Sequence, residues 1–294
     1  MKKCHLHTAS LLALSILLSG CNILPTTRKL PVPKAPEITQ TVAPGELIEQ
    51  LNQRWNTVNA LTATVEIQAS EIKSNQGVAT DFPSCRGYIL MRKPDMLRVV
   101  GTYFGVKIFD MAGDGKKFTL YVPSKSKAIE GSYTVEKKSA NQLENLRPDF
   151  FYDALIVRGL DPDDEYMVTA DTDTLEDAKK KHLLLFPEYI LSVMRHKEGS
   201  KELTPVRVVT FHRDDLLPYE QDLYDNKGNL ETHVTYSNYV DFGSGKFPSK
   251  VMIKRPLEGI QITLTVERVV ENIKLRDDQF QIEMTEGTQV QKLD

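Results

Sequence analysis

Cysteine is scarce in this chain: Cys4, Cys21 and Cys85 are the only three among 294 residues. The fold must therefore stand on a buried core and not on cross-links, and a 40% apolar content is enough to build one. Long apolar runs are missing too. The stretch Leu11 to Leu18 is far shorter than the roughly 20 residues a membrane-spanning helix needs, and nothing later approaches that length without a charge. There is no excess of positive charge either. The 37 basic and 40 acidic side chains leave a net charge of −3, which argues against nucleic acid as a partner. Also absent are a fixed-period repeat, a nucleotide-binding glycine fingerprint and a G-x-S-x-G elbow.

What is present begins at the start of the chain. Lys2 and Lys3, the apolar core and the small residues Ser19 and Gly20 stand in the order an export signal requires, so residues 1–20 read as a signal peptide. Leu18-Ser19-Gly20-Cys21 resembles the lipobox of bacterial lipoproteins. That resemblance implies acylation of Cys21 by palmitate-like chains, which tie the new N-terminus to membrane lipid at about 0.8 kcal/mol per buried methylene. Asn22, where an Asp would mark inner-membrane retention, implies the outer membrane and a periplasmic face. Cys85 is then the only thiol left. Residues 21–45, with Pro25, Pro31, Pro33, Pro36 and Pro44, read as an acylated N-terminus and proline-rich tether. At about 3.1 Å per residue it reaches up to roughly 70 Å.

The folded part is read from hydrophobic period. Leu47, Ile48, Leu51, Trp55 and Val58 recur at helical spacing, which predicts a helix over 46–58. "ALTATVEIQAS" then alternates, with Leu61, Ala63, Val65, Ile67 and Ala69 on one face, as a half-buried strand does. Further strand-like pieces follow, divided by turn residues such as Lys93-Pro94-Asp95 and Gly113-Asp114-Gly115. The meander is interrupted once, by "SANQLENLRPDFFYDALIV", read as a helix or two short ones over about 140–157. It resumes through "KHLLLFPEYILSVMRH", two apolar strands on either side of Pro187-Glu188, and continues to "GIQITLTVERVV".

The order helix, alternating strand, "RKPDMLRV", "DGKKFTLYVP" and a late "KFPSKVMIKRP" resembles the bacterial lipoprotein-localisation superfamily of LolA and LolB. Lys93, Pro94 and Arg98 match its basic-Pro-then-Arg pattern, and Asp114, Gly115, Lys116 and Tyr121 match its D-G-K turn and tyrosine strand. The likeness covers about residues 46–285, with 286–294 as a C-terminal tail. It implies a mainly β fold with an α lid: an incomplete antiparallel barrel of about 11–12 strands around an apolar cavity covered by helices. LolA is a soluble carrier, whereas LolB is an outer-membrane lipoprotein that receives cargo, so Cys21 makes this chain LolB-like in its anchoring. The chain is longer than a typical LolB, and its sequence marks no counterpart of that protein's protruding apolar membrane-inserting loop.

Candidate cavity residues are Val65, Ile67, Ile89, Met91, Val99, Ile108, Leu120, Phe150, Phe151 and Leu155. Alternation shows which of them share a face but not which face is concave. No catalytic, cofactor or metal residue is assigned. His182, His196, His212 and His233 sit in strand-like runs beside polar neighbours, without His-x-x-x-His or Cys-His zinc spacing. "DPDDEY" and "DTDTLED" read as solvated loops, and Cys85 as a buried inert thiol. The expected function is a non-enzymatic, lipid-anchored protein that binds acyl-chain or lipoprotein cargo for transfer or insertion at the outer membrane. A scaffold lipoprotein that docks an envelope protein partner is the alternative.

Overall fold

Strands with one apolar face dominate, and they form one sheet. The computed structural model describes residues 39–73, 77–133, 145–177, 182–243 and 245–293, with side chains for all but 175–177 and 182–184. Cys21, the signal peptide, most of the tether and residues 134–144, which take in the start of the interrupting segment, lie outside the described residues. Residues 36–173 and 186–294 make one compact unit; residues 1–35 and 174–185 make a second, of which only strand ends are described.

Helix α1 (Pro44–Thr57) begins with proline in its first turn, where the missing N–H costs nothing, and buries Leu47, Ile48 and Leu51. The helix thus takes in Pro44 and Gly45 from the expected tether. The preceding residues are also tied down: Gln40 N donates to Arg213 O at 2.6 Å and Val42 N to Tyr189 Oη at 3.1 Å.

Next come β1 (Ala60–Lys73), β2 (Val78–Asp81), β3 (Cys85–Arg92), β4 (Met96–Tyr103), β5 (Val106–Gly113), β6 (Lys117–Val122) and β7 (Lys127–Ser132). Helix α2 (Pro148–Leu155) separates them from β8 (Glu165–Asp177), β9 (His182–His196), β10 (Leu203–His212) and β11 (Pro218–Tyr224). β12 (Leu230–Asp241), β13 (Lys246–Arg255), β14 (Ile260–Glu271) and β15 (Gln289–Leu293) complete the described elements. The order across the sheet is β15-β7-β6-β5-β4-β3-β1-β14-β13-β12-β11-β10-β9-β8, with β2 paired to β1. Two antiparallel meanders are therefore joined by the β1–β14 pair, and the sheet stays open between β15 and β8.

The fold class is that of an open β-barrel with helices on its inner side. α2 packs against β4, β5 and β13. β4 and β13 are separated by β3, β1 and β14, a span of about 19 Å at 4.8 Å per strand. A helix of two turns meets both only if the sheet bends round it. Bulges at Thr64/Val65, Gly101/Thr102 and Thr210/Phe211 supply local bending. Gly101 leaves room for the ring of its cross-strand partner Phe109, which would lie 2.2 Å from an added Cβ.

Three expectations change. Among the described residues the sheet has fifteen strands, partly because the C-terminal residues up to Leu293 are not a free tail. β15 pairs parallel with β7 and buries Leu293. Pro187 does not divide a hairpin: β9 runs through it. Pro187 O accepts from Arg213 N at 2.9 Å, just past the His212–Glu188 pair. The absent Pro187 N–H thus points where β10 has ended, a place a strand tolerates proline. "DTDTLED" is the second half of β8 and not a loop. Its threonines suit an extended edge.

Candidate functional site

The inner face of the first meander is filled by its own side chains. Val65, Ile67, Ile89, Met91, Val99, Leu120, Phe151 and Leu155 are all buried in one continuous core, and Ile108 is half-buried against it. Phe150 is buried beneath the Arg255 guanidinium, 3.5 Å from its ring centroid. The structure thus brings the expected cavity residues together as packed interior.

Open space lies instead beside the second meander. A groove of about 590 Å³ runs between α1, the end of α2 and strands β11 to β13, within the roughly 300–1,000 Å³ range of small-molecule sites. Leu51 and Trp55 of α1 with Val58 just after it form one wall, and Leu155, Ile156 and Val157 form another. Leu217, Pro218, Tyr236, Tyr239 and Phe247 form the floor, while Gln50, Gln53, Asp215, Lys246 and Glu271 supply polar groups. Of the residues predicted from sequence, Leu155 alone lines it.

Of the groove's four charged residues, Arg54 and Asp215 are anchored by hydrogen bonds. Arg54 Nη1 donates to Leu216 O at 3.0 Å. Burial lowers its pKa, against the pull of Tyr239 and Asp215. Burial pushes the Tyr236 and Tyr239 phenols up, so both stay neutral; Tyr239 Oη donates to Pro218 O. Tyr219 Oη donates to Asp215 Oδ2 at 3.0 Å. A lining of neutral aromatic and aliphatic groups with some polar ones suits an apolar chain carrying a polar end. The lining includes no histidine or cysteine to act as nucleophile or soft ligand.

The end of α2 and the segment after it are held by polar contacts. Asn52 Oδ1 accepts from Leu160 N at 2.9 Å, Arg207 Nη2 donates to Gly159 O at 2.5 Å, and Gln221 Nε2 donates to Asp153 O at 2.9 Å. Arg158 joins Asp153 and Asp95.

A second feature escaped the sequence reading. The β4–β5 turn, "TYFGVK", presents Phe104 at 91% and Val106 at 67% exposure beside the exposed Tyr103. Phe104 has φ +47 and Gly105 φ +78, the geometry of a tight hairpin turn usually made by Asn-Gly. A phenylalanine here is a local cost, and its ring meets Tyr103 and not the core. The signal available in sequence was the turn glycine preceded by two aromatics, but alternation alone does not show how far a tip stands clear.

Other singled-out residues have structural roles. Lys93 Nζ donates to Trp55 O and sits over the Trp55 ring, and Arg98 grips buried Asp110 through Nε at 2.9 Å and Nη2 at 2.7 Å. Asp114 Oδ1 accepts from the Lys116 and Lys117 amides, and Tyr121 Oη meets Thr285 Oγ1 at 2.9 Å. In "DPDDEY", Asp161 and Asp164 bind Arg195. Burial raises the Cys85 thiol. His196 is exposed, whereas His212 is half-buried, stacked 3.5 Å from the Tyr219 ring. His233 is half-buried and bonded to Asp222 at 2.7 Å. The side chain of His182 lies outside the described residues.

The bent, unclosed sheet with inner helices defines the chain as an open β-barrel protein. Among solved structures it is similar to a LolA superfamily protein from Nitrosomonas europaea, at 13% identity and TM-score 0.50 over 82% of this chain and 99% of that one. It is also similar to a DUF1329 family protein from Desulfovibrio piger, at 17% identity and TM-score 0.52 over 80% and 95%. No protein-family model and no curated protein matches the sequence. At these identities the likeness is one of fold: the chain has the LolA/LolB-like fold. Among the described residues no helix is long and apolar enough to cross a membrane.

Proposed function

We propose that the chain is a lipid-anchored envelope protein that binds an acyl chain or acylated cargo in the groove under α1 and passes it to, or receives it at, the outer membrane. The observation that carries this is the groove itself: about 590 Å³ of space against neutral aromatic and aliphatic walls that the protein leaves unfilled. At about 25 cal/mol per Å², covering one hydrocarbon chain yields several kcal/mol without covalent chemistry. The shared fold with a LolA superfamily protein supports the reading. So does the β4–β5 tip, whose Tyr103, Phe104 and Val106 supply an apolar point suited to enter a bilayer. Acylated Cys21 holds the chain at the membrane, and no step makes or breaks a bond in the cargo.

The test is displacement of a fluorescent fatty acid from the purified chain, with native mass spectrometry for retained lipid. Wild type should bind, and Ile156→Trp, which fills the groove, should lose binding while its melting temperature stays close to wild type. A chain that emerges empty and takes up no fatty acid ends the carrier reading and leaves the tethered scaffold.

A further inference from the structure

The outer face of the second meander carries a side-chain cluster unrelated to the groove. On β11 Gln221 is buried, and on β12 Thr232, Val234 and Tyr236 alternate inward. The pleat therefore sends Glu220, Asp222 and His233 to the opposite face. Asp222 and His233 are directly cross-strand, and Glu220 is two residues along from Asp222.

We propose that Glu220, Asp222 and His233 form a binding site for a divalent first-row transition-metal ion of the zinc class. One ligand atom from each lies within 4.8 Å of the others. His233 Nδ1 is 2.7 Å from Asp222 Oδ1 and 3.8 Å from Glu220 Oε1. Ligands to one ion at about 2.0–2.2 Å must lie at such mutual separations, and one imidazole with two carboxylates leaves a tetrahedral position for water. The imidazole nitrogen favours zinc-class ions over Mg²⁺ or Ca²⁺, which take oxygen ligands. Binding exchanges the hydrogen-bonded proton between His233 and Asp222 for the ion.

Two further observations favour a cation. Neither carboxylate is ion-paired to a lysine or arginine among the described residues; their partner is the histidine. Glu188 on β9 adds negative charge close enough to act on Glu220. Lys254, opposite His233 on β13, is the opposing cation, and its long flexible stem lets it swing away. All three ligands stand on paired strands, so little ordering is needed when the ion arrives.

The experiment titrates the purified chain with Zn²⁺ against a chromophoric chelator, and with Co²⁺ for its visible spectrum. One equivalent should bind, with Mg²⁺ and Ca²⁺ unable to compete. Asp222→Asn, nearly isosteric, and His233→Ala should each weaken Zn²⁺ by more than about tenfold and abolish the Co²⁺ bands. Lys254→Ala should bind as well as wild type or better. Melting temperatures in chelator identify any variant that fails to fold, and Asp222→Asn then decides. Wild-type affinity in Asp222→Asn, or no Zn²⁺ uptake by the wild type, overturns the site. Fatty-acid displacement is unaffected in either outcome, so this test and that of the groove fail separately.

Discussion

The two meanders share one sheet but bury different things. On the inner face of β3 to β7 the buried set is apolar, Ile89, Met91, Leu97, Val99, Met111, Phe118, Leu120 and Ile129, while the buried charge of β5, Asp110, is held by Arg98. Inside β10 to β13 the buried set includes Arg207, Gln221, Thr232 and Arg255 beside Val209, Phe211, Val234 and Ile253. Apolar side chains are non-directional and collapse until space is filled. Buried polar groups must meet particular partners, so they hold a neighbour at a set distance. Arg255 does this with Thr232 Oγ1 at 2.7 Å and with Glu231 and Glu258. The first meander is thus a solid base, and the second fastens α2 and its following segment by hydrogen bonds with a groove left beside them.

That contrast is broken most forcefully by a cavity in the base. Met91→Ala should cost about 2–5 kcal/mol in urea unfolding, because Met91 is fully enclosed. The folded fraction should still bind fatty acid normally, since no β3 residue touches the groove. Loss of binding in proportion to stability would show that the halves are not separable.

A pH experiment sharpens the polar side. Asp149, in the first turn of α2, is raised from an ordinary 3.8 to about 7, chiefly by burial and then by Asp153, against the pull of Arg255. The folded carboxyl therefore keeps its proton over a range where the unfolded one has lost it. Folded protein binds more protons there, so stability should fall as pH rises from about 4 to about 7 and level off above, by up to about 4 kcal/mol. Asp149→Asn should flatten this slope, matching wild type near pH 4 and exceeding it at pH 8. Identical urea midpoints for the two proteins at pH 8 would refute the burial of a reluctant charge.

Sequence legibility follows the same division. In the first meander, strict alternation from Leu61 to Ala69 and turns at Asp114-Gly115 announce strands, because one face is dry and the other wet. In the second, Pro187 reads as a break although the strand passes through it, since whether a lost donor matters depends on where the next strand ends. The open-barrel class was legible through the family resemblance that the order of helix, strands and turns carries. The groove was not, because its walls come from α1, α2 and β11 to β13, joined only in space. Most of the apolar positions that alternation singled out are buried in the core. The Glu220, Asp222 and His233 cluster is likewise a product of register, since no spacing along the chain places residue 222 beside residue 233.

The smallest expected change in stability concerns the tip. Phe104 holds a left-handed backbone and is 91% exposed; its described ring contact is Tyr103, at 4.5 Å between centroids. Asn accepts that conformation more readily than a bulky residue, so Phe104→Asn should stabilise the chain by about 1 kcal/mol. A side chain kept only for the fold would not sit where its replacement improves the fold. If it serves the bilayer, the same variant should bind vesicles of zwitterionic and anionic phospholipid less well in flotation, while fatty-acid displacement stays at the wild-type level. A stabilised variant that still floats as wild type would leave the exposed aromatic pair without a membrane role.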